Sequence, residues 1–189
     1  MIVIVGVGAL GSHALLDLRN IDKPIRVIDF DVVEQKNTQA QMHTKMSLRR
    51  NKAMAAQQAM MGMFGLRIDA KPVKLTEDNR EQLLAEADLI IDCTDNIAAR
   101  KVIMGWTKLT RTPTLHGALS ADGTFAQVAW SDVFTPDVES GEGATCEDGE
   151  HLPFFAIAAA HVAHEAQRFL TKGEQRSLQI TPNSVLRLA

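Results

Sequence analysis

The chain is predicted to fold as a doubly wound α/β domain, a mainly parallel sheet with an antiparallel C-terminal extension. Three observations predict it. Short apolar runs of strand length alternate with helix-like segments over the first two thirds of the chain. The first run leads directly into Gly6-Val7-Gly8-Ala9-Leu10-Gly11-Ser12, the G-x-G-x-x-G spacing of a phosphate-binding strand–helix turn. Beyond Gly117 the rhythm changes: Ala121-Asp122-Gly123 reads as a hairpin turn, and the chain closes on a strand pair around Pro182-Asn183-Ser184. With 189 residues there is enough chain for one domain with a real core, and no composition break divides residues 1–189.

Taken in order, Ile2 to Val5 is continuously apolar, as in a strand buried on both faces. A helix from about Leu10 to Asn20 follows, with Leu10, Leu15, Leu16 and Leu18 for packing, and Pro24 closes it. Ile25 to Asp29 is a second strand with an acidic end. A polar loop from Asp31 to Thr44 holds Asn37, Gln39 and Gln41. A long helix from about Leu48 to Met63 ends at Gly65; its Met54, Met60, Met61 and Met63 are expected as flexible core filler. A third strand lies near Arg67 to Val73, and Thr76 is expected to cap a short helix from Glu77 to Glu86. Asp88 to Cys93 is the fourth strand, and a helix runs from Asn96 to before Thr112-Pro113. Thr114 to Gly117 and Gly123 to Trp130 are two more strands, the second antiparallel. Asp132 to Glu150 is an acidic loop of a length that is usually functional or mobile, and Leu152 to Leu170 is an alanine-rich helix.

Composition narrows the class. The chain is 46% hydrophobic and 23% charged with a net charge of −3, which gives no reason to expect a nucleic-acid surface. No apolar run approaches the ~20 residues of a membrane helix. The sequence opens on a strand with no leader before it, which predicts the cytoplasm. Cys93 and Cys146 are the only cysteines, so no disulfide framework and no structural four-cysteine zinc site are expected.

The candidate site grows from the glycine turn. Gly6 and Gly8 leave no Cβ in the path of a phosphate, and Gly11 lets the helix pack close. The phosphate would meet the free N–H groups of the helix opening at Ala9 and Leu10. By itself this leaves NAD, FAD, ATP or an empty tight turn open. Asp29, ending the second strand, suits ribose hydroxyls or a loop cap. The following polar loop, with Asp31, Asn37 and Gln41, and then Lys52, offers neutral donors and one cation, as a triphosphate requires; a solvated loop is the plain alternative. In Asp92-Cys93-Thr94-Asp95-Asn96, Asp95 would face those phosphates. A carboxylate there needs a cation between, and Mg²⁺ with one carboxylate and phosphate oxygens satisfies that; a helix cap is the alternative.

On Gly6 to Ser12, on Asp29-Phe30-Asp31-Val32-Val33-Glu34 with Asn37 and Gln41, on Lys52 and on Asp92 to Asn96, the chain resembles the ubiquitin-activating-enzyme superfamily. The resemblance is to its bacterial ThiF/MoeB-type branch, the thiamine sulfur-carrier and molybdopterin-synthase adenylyltransferases. Thr145-Cys146 and His164-Glu165-Ala166 resemble the family's cysteine loop and last helix. The resemblance implies a Rossmann-like fold and a homodimer that binds Mg·ATP. It also implies adenylation of the C-terminal carboxylate of a ubiquitin-like or sulfur-carrier protein ending in Gly-Gly. The tail carboxylate attacks the α-phosphate and pyrophosphate leaves. Carried over, Gly8 and Gly11 hold phosphate, Asp29 the ribose, Asn37 and Lys52 the phosphates, and Asp95 the Mg²⁺. Gly6, Ala9, Leu10, Asp31, Gln41 and Asn96 complete the nucleotide-side motifs. Cys146 stands where some members carry a cysteine that takes the activated carboxylate as a thioester or persulfide.

The chain departs from the pattern in three places. Ala40 occupies the arginine position of the family's Asn-Leu-x-Arg-Gln loop. The N-terminal arm that supplies a second arginine across the dimer, and the paired Cys-x-x-Cys zinc ligands, are not in this sequence. Arg49 and Arg50 precede Lys52, and Glu142, Glu147, Asp148 and Glu150 surround Cys146 with charge that disfavours a thiolate. Alongside a working adenylyltransferase, a catalytically weakened or non-catalytic partner subunit and an NAD-dependent oxidoreductase therefore stay open. Cys93 is expected to be structural, His161 and His164 to lie on a partly buried helix face, and His116 has no assigned role.

Overall fold

Strand β1 (Ile2–Val5) is buried along its whole length and forms the middle of the parallel part of the sheet. The structure is a computed structural model and describes residues 1–120, 122–135 and 149–188. The remaining strands are β2 (Ile25–Ile28), β3 (Asp69–Lys71), β4 (Leu89–Asp92), β5 (Thr114–Leu119), β6 (Ala126–Trp130), β7 (Leu178–Thr181) and β8 (Ser184–Arg187). They form one eight-stranded sheet in the order β3-β2-β1-β4-β5-β6-β7-β8. The pairs from β3 to β5 are parallel and those from β5 to β8 antiparallel, as expected. Val5 is in register with Ile28 on one side and Asp92 on the other. Three carboxyl ends therefore finish together where the strand order reverses, the place where doubly wound sheets bind ligands.

Alternation along the buried strands feeds two cores. Ile2, Ile4 and Val27 pack with α1 (Ala9–Asp17), α3 (Lys52–Phe64) and α6 (Leu152–Lys172) on one face. Val3, Val5, Ile28 and Ile90 pack with Leu83 and Leu84 of α4 (Arg80–Leu84) and with Val102, Ile103 and Trp106 of α5 (Ile97–Thr110) on the other. Between β2 and α3 the polar loop carries a short helix, α2 (Asn37–Ala40), and a 3-10 turn at Lys45–Ser47.

Several local expectations are corrected. The helix expected from Leu48 begins at Lys52, because Val33 exchanges backbone hydrogen bonds with this stretch. The Arg49 N–H donates to the Val33 carbonyl at 2.9 Å, and the Val33 N–H to the Arg50 carbonyl at 2.8 Å. Arg49 takes a left-handed φ of +67°, which no helix continues. Asn51 caps α3 instead, accepting from the Met54 N–H at 3.1 Å. Thr76 caps nothing; its N–H donates to Asn79 Oδ1 at 2.8 Å, and α4 is shorter than expected. Of the four α3 methionines only Met60 is core, while Met54, Met61 and Met63 are exposed. The helix buries Lys52, Ala53, Ala55, Ala56 and Met60, and the other methionines lie off that face.

Candidate functional site

The turn after β1 is held by close backbone approach. A Cβ on Gly11 would lie 1.9 Å from the Gly6 carbonyl oxygen. Gly6 has a φ of +86°, and a Cβ there would lie 2.8 Å from the Cys93 carbonyl oxygen and 3.1 Å from the Thr94 nitrogen. Both positions are closed to any side chain. At Gly8 the nearest atom to such a Cβ is Gln41 Nε2 at 3.9 Å, so the space over Gly8 is open. The Ser12 N–H reaches back to the Gly8 carbonyl at 3.0 Å, while the earlier amides of Ala9, Leu10 and Gly11 have no intrahelical acceptor. Free amides at the positive end of a helix are suited to an anion.

The Asp29 carboxylate buttresses this turn. Its Oδ2 accepts from the Val7 N–H at 2.7 Å and its Oδ1 from the Asp31 N–H at 2.8 Å. Burial pushes the carboxyl up from its usual range, and these two donors with the Lys52 charge pull only part of the way back. The cap expected as an alternative is thus present, and each oxygen keeps a further lone pair for a ribose hydroxyl. Asn51 Nδ2 donates to the Asp29 carbonyl at 2.8 Å and the Asp31 carbonyl at 3.1 Å, which ties the start of α3 to this turn. Lys52 is consequently buried beside it, with Nζ 3.3 Å from Asp31 Oδ2. Asp31 is half exposed and holds the ammonium that a phosphate would claim.

The polar loop folds over the glycine turn. Ser12 Oγ accepts from the Met42 N–H at 3.0 Å, and His13 Nε2 lies 3.3 Å from the Ala40 carbonyl. His43 Nε2 donates to the Val7 carbonyl at 2.9 Å, and its burial lowers the imidazole pKa. Asn37 is buried, and its Oδ1 accepts from the Glu34 N–H at 2.8 Å, so that part of the side chain shapes the loop. Gln41 Oε1 is buried with no hydrogen-bond partner among the described residues, an acceptor left beside Gly8. Ala40 is fully buried in the core.

Asp95 is exposed and makes no hydrogen bond or ion pair with any described residue. Asn96 caps α5 by accepting from the Ala99 N–H at 2.9 Å. Gly6 lies against the Cys93–Thr94 peptide, one residue ahead of Asp95, so the two turns touch. No group of three or more His, Cys, Asp or Glu among the described residues could hold a metal. A cation at Asp95 would have one protein carboxylate and take its other oxygens from phosphate and water, a donor set that fits Mg²⁺. Cys93 is free, and burial and the Asp92 charge push its thiol up, consistent with a structural role. His161 is half-buried on α6 as expected, but His164 is exposed, with Nε2 3.1 Å from Arg168 Nη2, so the two do not share a partly buried face. Cys146 lies outside the described residues.

Sequence reasoning missed a buried polar group behind Asp95. Asp92 is fully buried, and its Oδ2 lies 2.7 Å from His116 Nδ1. Burial pushes its carboxyl up, but His116, Arg100 and Thr94 more than offset this and hold it below the usual carboxylate range. His116 Nε2 lies 2.7 Å from Ser131 Oγ. The only signal is that Asp92 and His116 share a register across β4 and β5, which the sequence shows only once the strands are paired.

The adenylyltransferase and sulfurtransferase UBA4 of Scheffersomyces stipitis is 30% identical over 183 residues, 90% of this chain and 41% of that protein. The molybdopterin-synthase adenylyltransferase of Escherichia coli is 32% identical over 121 residues, 62% of this chain and 48% of that protein. The chain thus spans less than half the length of either relative. The crystal structure of E. coli MccB with ATP shares the fold, with a TM-score of 0.78 at 15% identity over 99% of this chain and 62% of that one. No helix among the described residues is long and apolar enough to cross a membrane. The ThiF family pattern matches residues 1–185, and the chain belongs to the ThiF family.

Proposed function

We propose that this chain binds Mg·ATP in the crevice between the turns after β1 and β4. There it adenylates the C-terminal carboxylate of a ubiquitin-like or sulfur-carrier protein ending in Gly-Gly. The observation that carries the reading is the contact between the two turns. Gly6 lies against the Cys93–Thr94 peptide, which brings the side-chain-free cradle to the turn that carries Asp95. The names of the relatives, both adenylyltransferases, and the ATP in the MccB crystal support the same ligand and reaction.

The residues divide the work simply. The Ala9, Leu10 and Gly11 amides and the positive end of α1 receive phosphate. Lys52 leaves Asp31 for the triphosphate, Asp29 accepts from the ribose, and Gln41 Oε1 accepts a nucleotide or tail donor. Asp95 and Asn96 form the edge facing the phosphates, with Asp95 as the protein ligand of Mg²⁺, whose charge would offset that of the triphosphate. The incoming carboxylate then attacks the α-phosphorus, and pyrophosphate leaves. Catalysis of this kind rests on positioning and charge, not on a covalent protein group. A homodimer in the cytoplasm is the setting we infer, and Cys146 is a candidate acceptor of the activated carboxylate.

ATP–pyrophosphate exchange with a Gly-Gly-tailed carrier tests the reading. Exchange is expected for the wild type and lost in Asp95→Ala, which should fold normally because Asp95 has no partner among the described residues. Absence of exchange and AMP with every carrier tried, together with no rise in Tm on adding ATP, overturns it. A second reading, a non-catalytic partner subunit, is favoured by the buried Ala40 at the arginine position. It predicts ATP binding without exchange unless a second family member is added. NAD-dependent oxidoreduction has no counterpart among the relatives named above.

A further inference from the structure

The turn bearing Asp95 is clamped from behind by groups to which the proposed reaction gives no role. Thr94 is held at all three of its polar atoms. Its N–H and Oγ1 both donate to Asp92 Oδ1, at 2.9 and 2.7 Å. Its carbonyl accepts from Arg100 Nη2 at 2.6 Å and Nε at 3.1 Å. The peptide joining Thr94 to Asp95 therefore has one orientation, and Asp95, with no partner among the described residues, takes its direction from it.

Asp92 holds its rotamer because His116 occupies its other oxygen at 2.7 Å, with Arg100 Nε at 4.0 Å. The imidazole is fixed in turn by Ser131 Oγ at 2.7 Å and by the Phe134 ring stacked on it at 4.2 Å and 8°. The Arg100 guanidinium packs over the same ring at 5.3 Å. His116 and Arg100, the two groups that set Thr94, thus share one aromatic wall.

We propose that His116 is a positioning residue: through Asp92 it fixes the Thr94–Asp95 peptide and so sets the carboxylate that meets Mg·ATP. The inference rests on the nucleotide reading above. It extends the general rule that groups behind a metal ligand tune its affinity about 10–100-fold when removed. The order Ser131–His116–Asp92 is also the connectivity of a nucleophilic triad. Here the imidazole is fully buried under Phe134, and the Ser131 N–H is spent on the Thr114 carbonyl at 3.1 Å, which favours positioning.

Calorimetric titrations of ATP with Mg²⁺ and with chelator, and of adenosine alone, test this on the intact chain. His116→Leu is expected to weaken the Mg²⁺-dependent part of ATP affinity about 10–100-fold while adenosine binding stays within about twofold of wild type. His116→Asn, which keeps a donor toward Asp92, is expected to recover most of the loss. In the ligand-free protein, amide hydrogen exchange at Thr94, whose N–H donates to Asp92, should quicken in His116→Leu. Ser131→Ala, a milder step should the leucine variant not fold, should show both effects at smaller size. Mg²⁺ dependence equal to wild type in His116→Leu or, if that does not fold, in Ser131→Ala, or a parallel loss of adenosine binding, overturns the proposal. So does fluorophosphonate labelling of Ser131. A wild type that binds no ATP overturns the nucleotide reading and this inference with it. A wild type that binds Mg·ATP beside an unaffected variant overturns this inference alone.

Discussion

The turns after β1 and β4 touch across the crevice, yet they are held by opposite means. The first is fixed by what it lacks: at Gly6 and Gly11 backbone sits where a side chain would be. The second is fixed by what it carries: Asp92, Thr94 and Arg100, with His116 behind them, satisfy one another in a buried polar cluster. A sterically determined turn needs only its own residues. A polar clamp needs partners from α5, β5 and the segment after β6. The difference predicts how each side fails.

The largest effect is expected at Gly11. A Cβ 1.9 Å from a carbonyl oxygen cannot be accommodated by a rotamer change, so Gly11→Ala should cost ~3 kcal/mol or more and lower Tm by many degrees. Gly8→Ala sharpens the contrast within the same turn. Its nearest neighbour is 3.9 Å away, so it should cost about 1 kcal/mol, through the poorer helix start, yet lose ATP affinity out of proportion to Tm. A Gly8→Ala protein that binds ATP like wild type would break the assignment of this turn as the phosphate cradle.

On the polar side, Arg100→Met removes both donors to the Thr94 carbonyl and should cost ~1–3 kcal/mol in chemical denaturation. A neutral outcome would mean that the clamp is dispensable to the turn. The smallest effect concerns pH. Burial lowers the His43 pKa from 6.5, so the unfolded chain takes up this proton before the folded one does. The stability tied to neutral His43 is intact above about pH 6.5 and is lost as pH falls below it. His43→Gln should therefore show a shallower fall of Tm between pH 7 and 5 than wild type; an unchanged slope would assign that fall to other groups.

Much of the parallel half was legible because its signals are local. Apolar runs gave the strands, and the glycine spacing located the cradle. Asp29, Asp95 and Asn96 all stand at strand ends or helix starts that could be placed by counting residues. The expectations that failed depended on contacts made at a distance. Thr76 lost its expected capping role because α4 begins only at Arg80, after Asn79, whose Oδ1 accepts from the Thr76 N–H. The start of α3 moved because Val33 pairs with Arg49 and Arg50. The methionines of α3 looked like core because hydrophobicity does not say which arc of a helix meets a sheet; only Met60 does.

The sequence by itself determined the strand–turn–helix cradle and the identity of the groups around it. Glycine at positions 6 and 11 is a covalent fact with an immediate steric meaning, and a carboxylate ending an apolar run sits at a strand end wherever that strand lies. Only the tertiary structure decided that Asp31 holds Lys52, that Ala40 is buried in the core, and that Asp92 and His116 meet behind Asp95. Those pairings cross from one element to another. Two polar side chains on different strands become partners only when β4 and β5 pair in register, and that pairing is made by the fold as a whole.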